Sequence, residues 1–224
     1  MRIVIFANGT LNDPHQSMDL IRPDDFIIAA DGGAIHCLEL GLQPNIVIGD
    51  FDSLDRENLS RLEASGVELI RHPARKDYTD LELALEHALQ IGASQILILG
   101  ALGNRWDQTL ANLLLPASAD FSTMDIRLVD GQQEIFLVKG GHRTVIQGKP
   151  GDILSLIPLY GDASGITTQG LEYALDEGTL KFGSTRGISN VLLANMAEIS
   201  CKEGLLVGVL IHSPDPNSHN HPDS

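Results

Sequence analysis

Residues 26–53 read FIIAADGGAIHCLELGLQPNIVIGDFDS. Two short apolar runs, 26–30 and 46–48, flank a segment at 34–40 with the look of a helix, and glycine and aspartate follow each run. Neither run alternates apolar with polar residues, so each is expected to be a strand buried on both faces. Strand, helix and strand in that order make a parallel crossover unit. The same alternation continues outward in both directions. Strands are expected at 3–7, 26–30, 46–48, 68–71, 95–99 and 126–129, with helices at 34–40, 56–64, 81–90 and 106–115. In the third helix Leu81, Ala84, Leu85, Ala88 and Leu89 form one apolar stripe. Residues 1–130 are therefore expected to form an α/β domain with a doubly wound, mostly parallel sheet.

Beyond residue 131 glycines punctuate the chain every few residues, and short candidate strands lie between them at 134–138, 143–146, 152–158, 166–169, 179–182, 198–201 and 205–212. That spacing predicts a C-terminal all-β domain over 131–212, sandwich or barrel-like. Residues 213–224 are Pro, Asn, His, Asp and Ser with nothing to bury, and are expected to be a disordered tail. His219 and His221 then read as solvated rather than as ligands.

The 224 residues are 43% hydrophobic and 20% charged, the composition of an ordinary globular protein. A formal net charge of −15 argues against binding nucleic acid or an anionic membrane. It leaves ATP open, because a divalent cation can neutralise phosphates. The opening MRIVIFANG has one charge and a short apolar run, so it reads as a first strand rather than a signal peptide or membrane span. Cys37 and Cys201 both sit in apolar stretches and are expected to be buried free thiols, as in a cytoplasmic enzyme.

Four aspartates stand out. Asp50 and Asp52 lie in GDFDS, where a strand runs out into a loop; a continued strand would put both on one face and let them share a cation. The plain alternative is a turn closed by local hydrogen bonds. Asp77 and Asp80 lie in RKDYTDLELAL, in which Thr79 and Glu82 have capping-box spacing and Asp80 opens the helix. Asp80 alone is explained by the helix dipole; Asp77, beside Arg75 and Lys76, is not. Oxygen ligands at strand ends and a helix start suit Mg²⁺, and that edge of a parallel sheet is where ligands bind. A haloacid-dehalogenase-type phosphatase also uses a strand-end D-x-D, but on its first strand.

The segment GALGNRWDQTLAN follows the strand at 95–99. Gly100 and Gly103 allow close approach to a ligand, Arg105 offers a planar fork for phosphate, and Asp107, Gln108 and Asn112 share one side of the next helix. A glycine-capped loop with a surface arginine is the plain reading. No P-loop motif and no G-x-G-x-x-G in the first turn are present. Asp31, Gly32 and Gly33 open another helix after another strand, where they could line a nucleotide pocket. In the second half Tyr173 is followed by Ser184, Thr185, Arg186, Ser189 and Asn190, so its ring reads either as an edge-strand residue or as a stacking surface for a cationic ring.

Taken together, DGGA at 31–34, GDFDS at 49–53, KDYTDLELAL at 76–85, G-x-R-x-D at 103–107, Asn112, GLEYAL at 170–175 and RGISN at 186–190 resemble bacterial thiamine pyrophosphokinases, in the family's order. The resemblance implies pyrophosphoryl transfer from ATP to thiamine with release of AMP, and Mg²⁺ held by Asp50, Asp52 and Asp80 with Asp77 in support. It implies phosphates at Gly100, Gly103 and Arg105, with Asp107 orienting Arg105 and Asn112 nearby, and a nucleotide or substrate pocket at Asp31, Gly32 and Gly33. Thiamine would meet Tyr173, Ser189 and Asn190, in a homodimer that shares the thiamine site. Two positions depart from the family's usual pattern. Gln108 stands where His is common, so position 108 has no acid–base role, and Tyr173 stands where some relatives carry Trp. A pyrophosphokinase for another alcohol, such as a pterin, and a non-catalytic thiamine or nucleotide sensor are the alternatives.

Overall fold

The computed structural model describes residues 1–73, 77–103 and 105–213. Two compact units divide at Gly131 and Gln132. In chain order the first unit contains β1 (Arg2–Phe6), α1 (Pro14–Asp19), β2 (Phe26–Ala30), α2 (Gly33–Glu39), β3 (Ile46–Gly49), α3 (Arg56–Ala64) and β4 (Glu68–Arg71). It continues with α4 (Asp80–Gln90), β5 (Gln95–Leu99), α5 (Trp106–Leu114) and β6 (Asp125–Asp130), two short 3₁₀ turns preceding β6.

Within this unit the strands run parallel in the order β6-β5-β1-β2-β3-β4. Successive side chains of a strand face opposite sides, and here both sides are covered. Val4, Phe6, Ile27, Ala29, Val47, Leu97 and Leu99 share a core with Ala34 and Cys37 of α2 and Leu62 of α3. The intervening Ile3, Ile5, Ile28, Ile48 and Ile98 are equally buried, and α4 packs against β1, β2 and β3. Strands without polar alternation are the sequence signature of that double cover, so the α/β expectation holds. The strand order reverses between β1 and β5, which opens a crevice at their carboxyl ends.

Capping follows the sequence closely. The Thr79 hydroxyl accepts from the Glu82 amide at 3.2 Å, making Asp80 the first residue of α4. Helix α1, absent from the sequence reading, has only six residues, capped by Asp13 through the Gln16 amide and opened by Pro14.

The second unit contains β7 (Gln133–Lys139), β8 (His142–Gln147), β9 (Ile153–Pro158), β10 (Ala163–Gln169), β11 (Gly178–Leu180), β12 (Asn190–Val191), β13 (Met196–Cys201) and β14 (Leu205–Ile211). Antiparallel sheets β12-β9-β14-β7 and β11-β10-β13-β8 enclose one core of Phe136, Val138, Ile146, Leu154, Ile166, Ile199 and Leu206 among others, which is the expected sandwich. Phe136 lies directly across from Gly208, and its ring occupies the space that any side chain at 208 would need.

Ser213, placed in the tail by the sequence reading, is instead tied down: its amide donates to Asp152 at 2.9 Å and its hydroxyl to the Gly151 carbonyl at 3.0 Å. His219 and His221, like Arg75 and Lys76, lie outside the described residues. Both cysteines are buried free thiols, and burial pushes the Cys37 thiol up to about 12. Among the described residues no helix is long and apolar enough to cross a membrane.

Candidate active site

Of the side chains expected to be functional in the first unit, Asp31, Asp50 and Asp52 converge after β2 and β3, and Asp80, Arg105 and Asn112 line a neighbouring cavity; Asp77 joins neither group. Strand β3 stops at Gly49, and Phe51 takes a left-handed conformation (φ 67°). GDFDS is therefore a tight turn closed by local hydrogen bonds, one of the two readings open to it, and no strand continues through Asp50 and Asp52. The Asp52 amide donates to Asp50 Oδ1 at 3.1 Å, and the Phe51 amide to Asp31 Oδ1, also at 3.1 Å. This turn places an oxygen from each of Asp31, Asp50 and Asp52 within 4.8 Å of the others. Asp31 is itself left-handed (φ 46°) and buried, whereas Asp52 is exposed. Non-glycine residues in that region cost free energy, and a bulky one is an outlier that the surroundings must hold in place. Two successive strand ends with that strain, converging on one acidic point, mark a built feature. Gly49 is required there, because a Cβ would lie 2.9 Å from the Cβ of Asp31.

Asp31, expected with Gly32 and Gly33 to line a nucleotide or substrate pocket, stands with Asp50 and Asp52. Neither Asp77 nor Asp80 is part of this trio among the described residues. Asp80, together with Thr79, lines a cavity of about 510 Å³ beside it, and Asp77 is exposed. The cavity occupies the β1–β5 crevice. On one side are Asn8, Gly9 and Thr10, which sequence reasoning missed; on the other are Ala101, Gly103, Arg105, Gln108 and Asn112. Main-chain bonds sew the two loops together, Gly9 to Gly100 at 2.7 Å and Thr10 to Leu102 at 2.9 Å. His36 of α2 adds a bond from its Nε2 to the Gly9 carbonyl at 2.8 Å.

Asn112 Nδ2 donates to the Ala101 carbonyl at 2.6 Å, so this side chain shapes the loop. Arg105 grips Asp107 through two bonds, 3.2 and 2.5 Å long, both residues being largely exposed. That guanidinium is the main reason the Asp107 carboxyl titrates below the ordinary range, with the Gln108 amide second. A paired fork beside a cavity can exchange its carboxylate for a phosphate.

The second unit has its own cavity, also of about 510 Å³. Leucines form its base, and Glu172, Tyr173, Arg186 and Asn190 supply the polar part. Tyr173 is 67% exposed and lies outside the strands, so its ring is neither core nor edge strand. The Asn190 side chain is committed to the main chain: Oδ1 accepts from the Tyr173 amide at 3.0 Å and from the Val191 amide at 2.9 Å, while Nδ2 donates to the Tyr173 carbonyl at 2.8 Å. Ser189, left-handed (φ 60°), donates its amide to the Ser155 hydroxyl at 3.1 Å.

Residues 18–128 match the family model described as thiamin pyrophosphokinase, catalytic domain, and residues 143–206 match thiamin pyrophosphokinase, vitamin B1 binding domain. Thiamine pyrophosphokinase of Bacillus subtilis is 33% identical over 188 residues, spanning 84% of this chain and 87% of that protein. The chain belongs to the thiamine pyrophosphokinase family. Thiamine pyrophosphokinase 1 of Oryza sativa is 27% identical over 214 residues, 92% of this chain and 77% of that one. The crystal structure of the Bacillus subtilis protein superposes with a TM-score of 0.86 at 29% identity, over 96% of this chain and all of that chain. Yeast thiamin pyrophosphokinase, 20% identical with a TM-score of 0.75, shares the fold over 94% of this chain and 86% of its own. Membership makes this chain an enzyme, a thiamine diphosphokinase, with ATP as the donor.

Proposed function

We propose that the first unit binds ATP and, through the acidic trio, a divalent cation, that the second unit binds thiamine, and that the protein transfers the pyrophosphoryl group of ATP to thiamine. The thiamine hydroxyl oxygen attacks the β-phosphorus, the bond between that phosphorus and the α–β bridging oxygen breaks, and AMP leaves with the bridging oxygen. The hydroxyl proton is released. Such transfers depend on positioning and charge neutralisation more than on covalent chemistry by the protein.

The carrying observation is the convergence of the Asp31, Asp50 and Asp52 carboxylates beside a cavity at the carboxyl end of a parallel sheet. Such a hard-oxygen donor set suits Mg²⁺, and Asp80 adds a further carboxylate on the wall of the cavity. When bound, Mg²⁺ neutralises charge developing on the transferring phosphates. Arg105 and the amides of the Gly100–Gly103 loop then hold phosphate oxygens, and Asp107 keeps Arg105 aimed until nucleotide arrives. In the second unit, the Tyr173 face and the Glu172 carboxylate suit a cationic ring. Asn190 holds Tyr173 in place, and Ser189 stands on the same turn. We further assign the chain to the cytoplasm and to a homodimer in which the exposed Tyr173 is covered by a second copy.

The test is direct. Purified protein, ATP, Mg²⁺ and thiamine should yield AMP and thiamine diphosphate in equal amounts. AMP released from a pterin alcohol but not from thiamine would redirect the substrate assignment, and binding of both ligands without AMP would make the protein a sensor.

A further inference from the structure

Asn8 stands where the cavity and the acidic trio meet. It follows the end of β1, lines the cavity, and lies flat over the backbone of Gly32: a Cβ at 32 would come within 2.2 Å of Asn8 Oδ1. From there Nδ2 donates to the Ser53 hydroxyl at 3.0 Å, and that hydroxyl donates to Asp52 Oδ1 at 3.2 Å. The Asp52 amide in turn donates to Asp50. One carboxamide thus touches the ends of β1, β2 and β3.

We propose that Asn8 is a positioning residue that fixes the Asp52 carboxylate through Ser53. A serine hydroxyl has one proton and two lone pairs and rotates to suit its neighbours. With Asn8 donating into one lone pair, the Ser53 proton is directed out towards Asp52. Without Asn8 the hydroxyl is free to turn to water. Asp52, the exposed member of the trio, has no burial to select its rotamer, so this bond selects it. One Asp52 lone pair is occupied by Ser53, and the rest are left for a cation shared with Asp31 and Asp50. The same carboxamide forms cavity wall, so it fixes the separation between the phosphate site and the acidic site.

This inference rests on the metal reading of the trio, and the experiment separates the two. Mn²⁺ is titrated into the full-length protein without nucleotide, and free Mn²⁺ is followed by electron paramagnetic resonance in wild type, Asn8→Ala, Ser53→Ala, the double variant and Asp52→Asn. Partners that orient metal-binding carboxylates typically change affinity by about 10–100-fold. Asn8→Ala and Ser53→Ala should each weaken Mn²⁺ binding about tenfold, at the lower end of that range, and the double variant should be no weaker than either single one. Melting should shift by no more than about 2–4 °C, as for one lost hydrogen bond in a chain of this size. Wild-type affinity in Asn8→Ala, or singles whose losses multiply in the double, would overturn the relay while the metal site stands. Failure of wild type to bind Mn²⁺, or an Asp52→Asn variant that binds it normally, would remove the metal site and the relay with it.

Discussion

The Phe51 amide donates to the buried carboxylate of Asp31, and both residues are left-handed, at φ 67° and φ 46°. The bond closes the end of β3 onto the end of β2, and the acidic trio is its result. The Phe51 ring is buried as well, with the Arg71 guanidinium 4.6 Å above its centre. A strained backbone is therefore held by a well-packed side chain.

Substitution at 51 should reveal that balance. Phe51→Ala forfeits the buried ring, at about 3–5 kcal/mol, and keeps the strain. Phe51→Gly loses the same ring but relieves roughly 1–2 kcal/mol of left-handed cost. In urea denaturation the glycine variant should be the more stable of the two, the reverse of the order found at ordinary positions. If alanine proves equal or better, the turn is not strained as described.

Removing charge without changing shape tests the trio itself. Asp31→Asn, Asp50→Asn and Asp52→Asn should each lower turnover by about 10²–10³-fold, the usual effect of losing one electrostatic contributor at a transition state. The far-ultraviolet circular dichroism spectrum should not change. Near-normal AMP formation in any one of them removes that carboxylate from the metal assignment.

Tyr173 should depend on Asn190. Asn190→Ala strands both main-chain polar groups of Tyr173, and the KM for thiamine should rise roughly fivefold as an aromatic platform worth about 1 kcal/mol is loosened. The KM for ATP should stay put, since the residue lies in the other unit. Equal rises in both constants would point to general loss of structure, and no change would place thiamine elsewhere.

A pH effect on stability is built into the second unit. His212 Nδ1 meets the enclosed Asp152 carboxylate at 3.0 Å, and Glu134 lies 3.8 Å from Nε2. Glu134 is the main cause that raises the His212 pKa; burial opposes it and Asp152 adds to it. A raised histidine contributes stability fully below its unfolded value, near 6.5, and loses it as pH climbs through the higher folded value. Burial pushes Asp152 up, but the Ser213 and Lys149 amides and His212 outweigh it, leaving the carboxyl below its ordinary range. Its contribution is present above about pH 4 and fades as pH falls further. Denaturation midpoints should thus be highest between these limits, and His212→Asn should flatten the fall on the alkaline side. An unchanged alkaline limb would show that the cluster is not a source of pH dependence.

The alternation of strands and helices was legible because parallel strands covered on both faces are uninterrupted apolar runs, as 26–30 and 46–48 are. The cap at Thr79 was equally plain. A turn at GDFDS was one of two readings, but its left-handed Phe51 was not legible, because it puts a large residue where such backbone ordinarily calls for glycine or asparagine. Asp31 joins Asp50 and Asp52 through the pairing of Ala30 with Ile48, a register that no local pattern reveals. Asn8, Gly9 and Thr10 look like any turn after a first strand. Only the pairing of β1 with β5, seen in Phe6 beside Leu99, carries them to the cavity. Helix α1 and strand β12 are too short for periodicity to show.

The floor of that cavity is largely peptide. A side chain at Gly9 would strike the Gly100 and Leu102 carbonyls, and one at Gly103 would press on Thr10. Backbone so tightly stacked can be reshaped only by moving whole strands, which leaves little room for gradual change. Drift in ligand preference within this lineage must therefore come from the rim, at exposed positions such as Arg105 and Gln108, where a replaced side chain leaves the backbone beneath it in place.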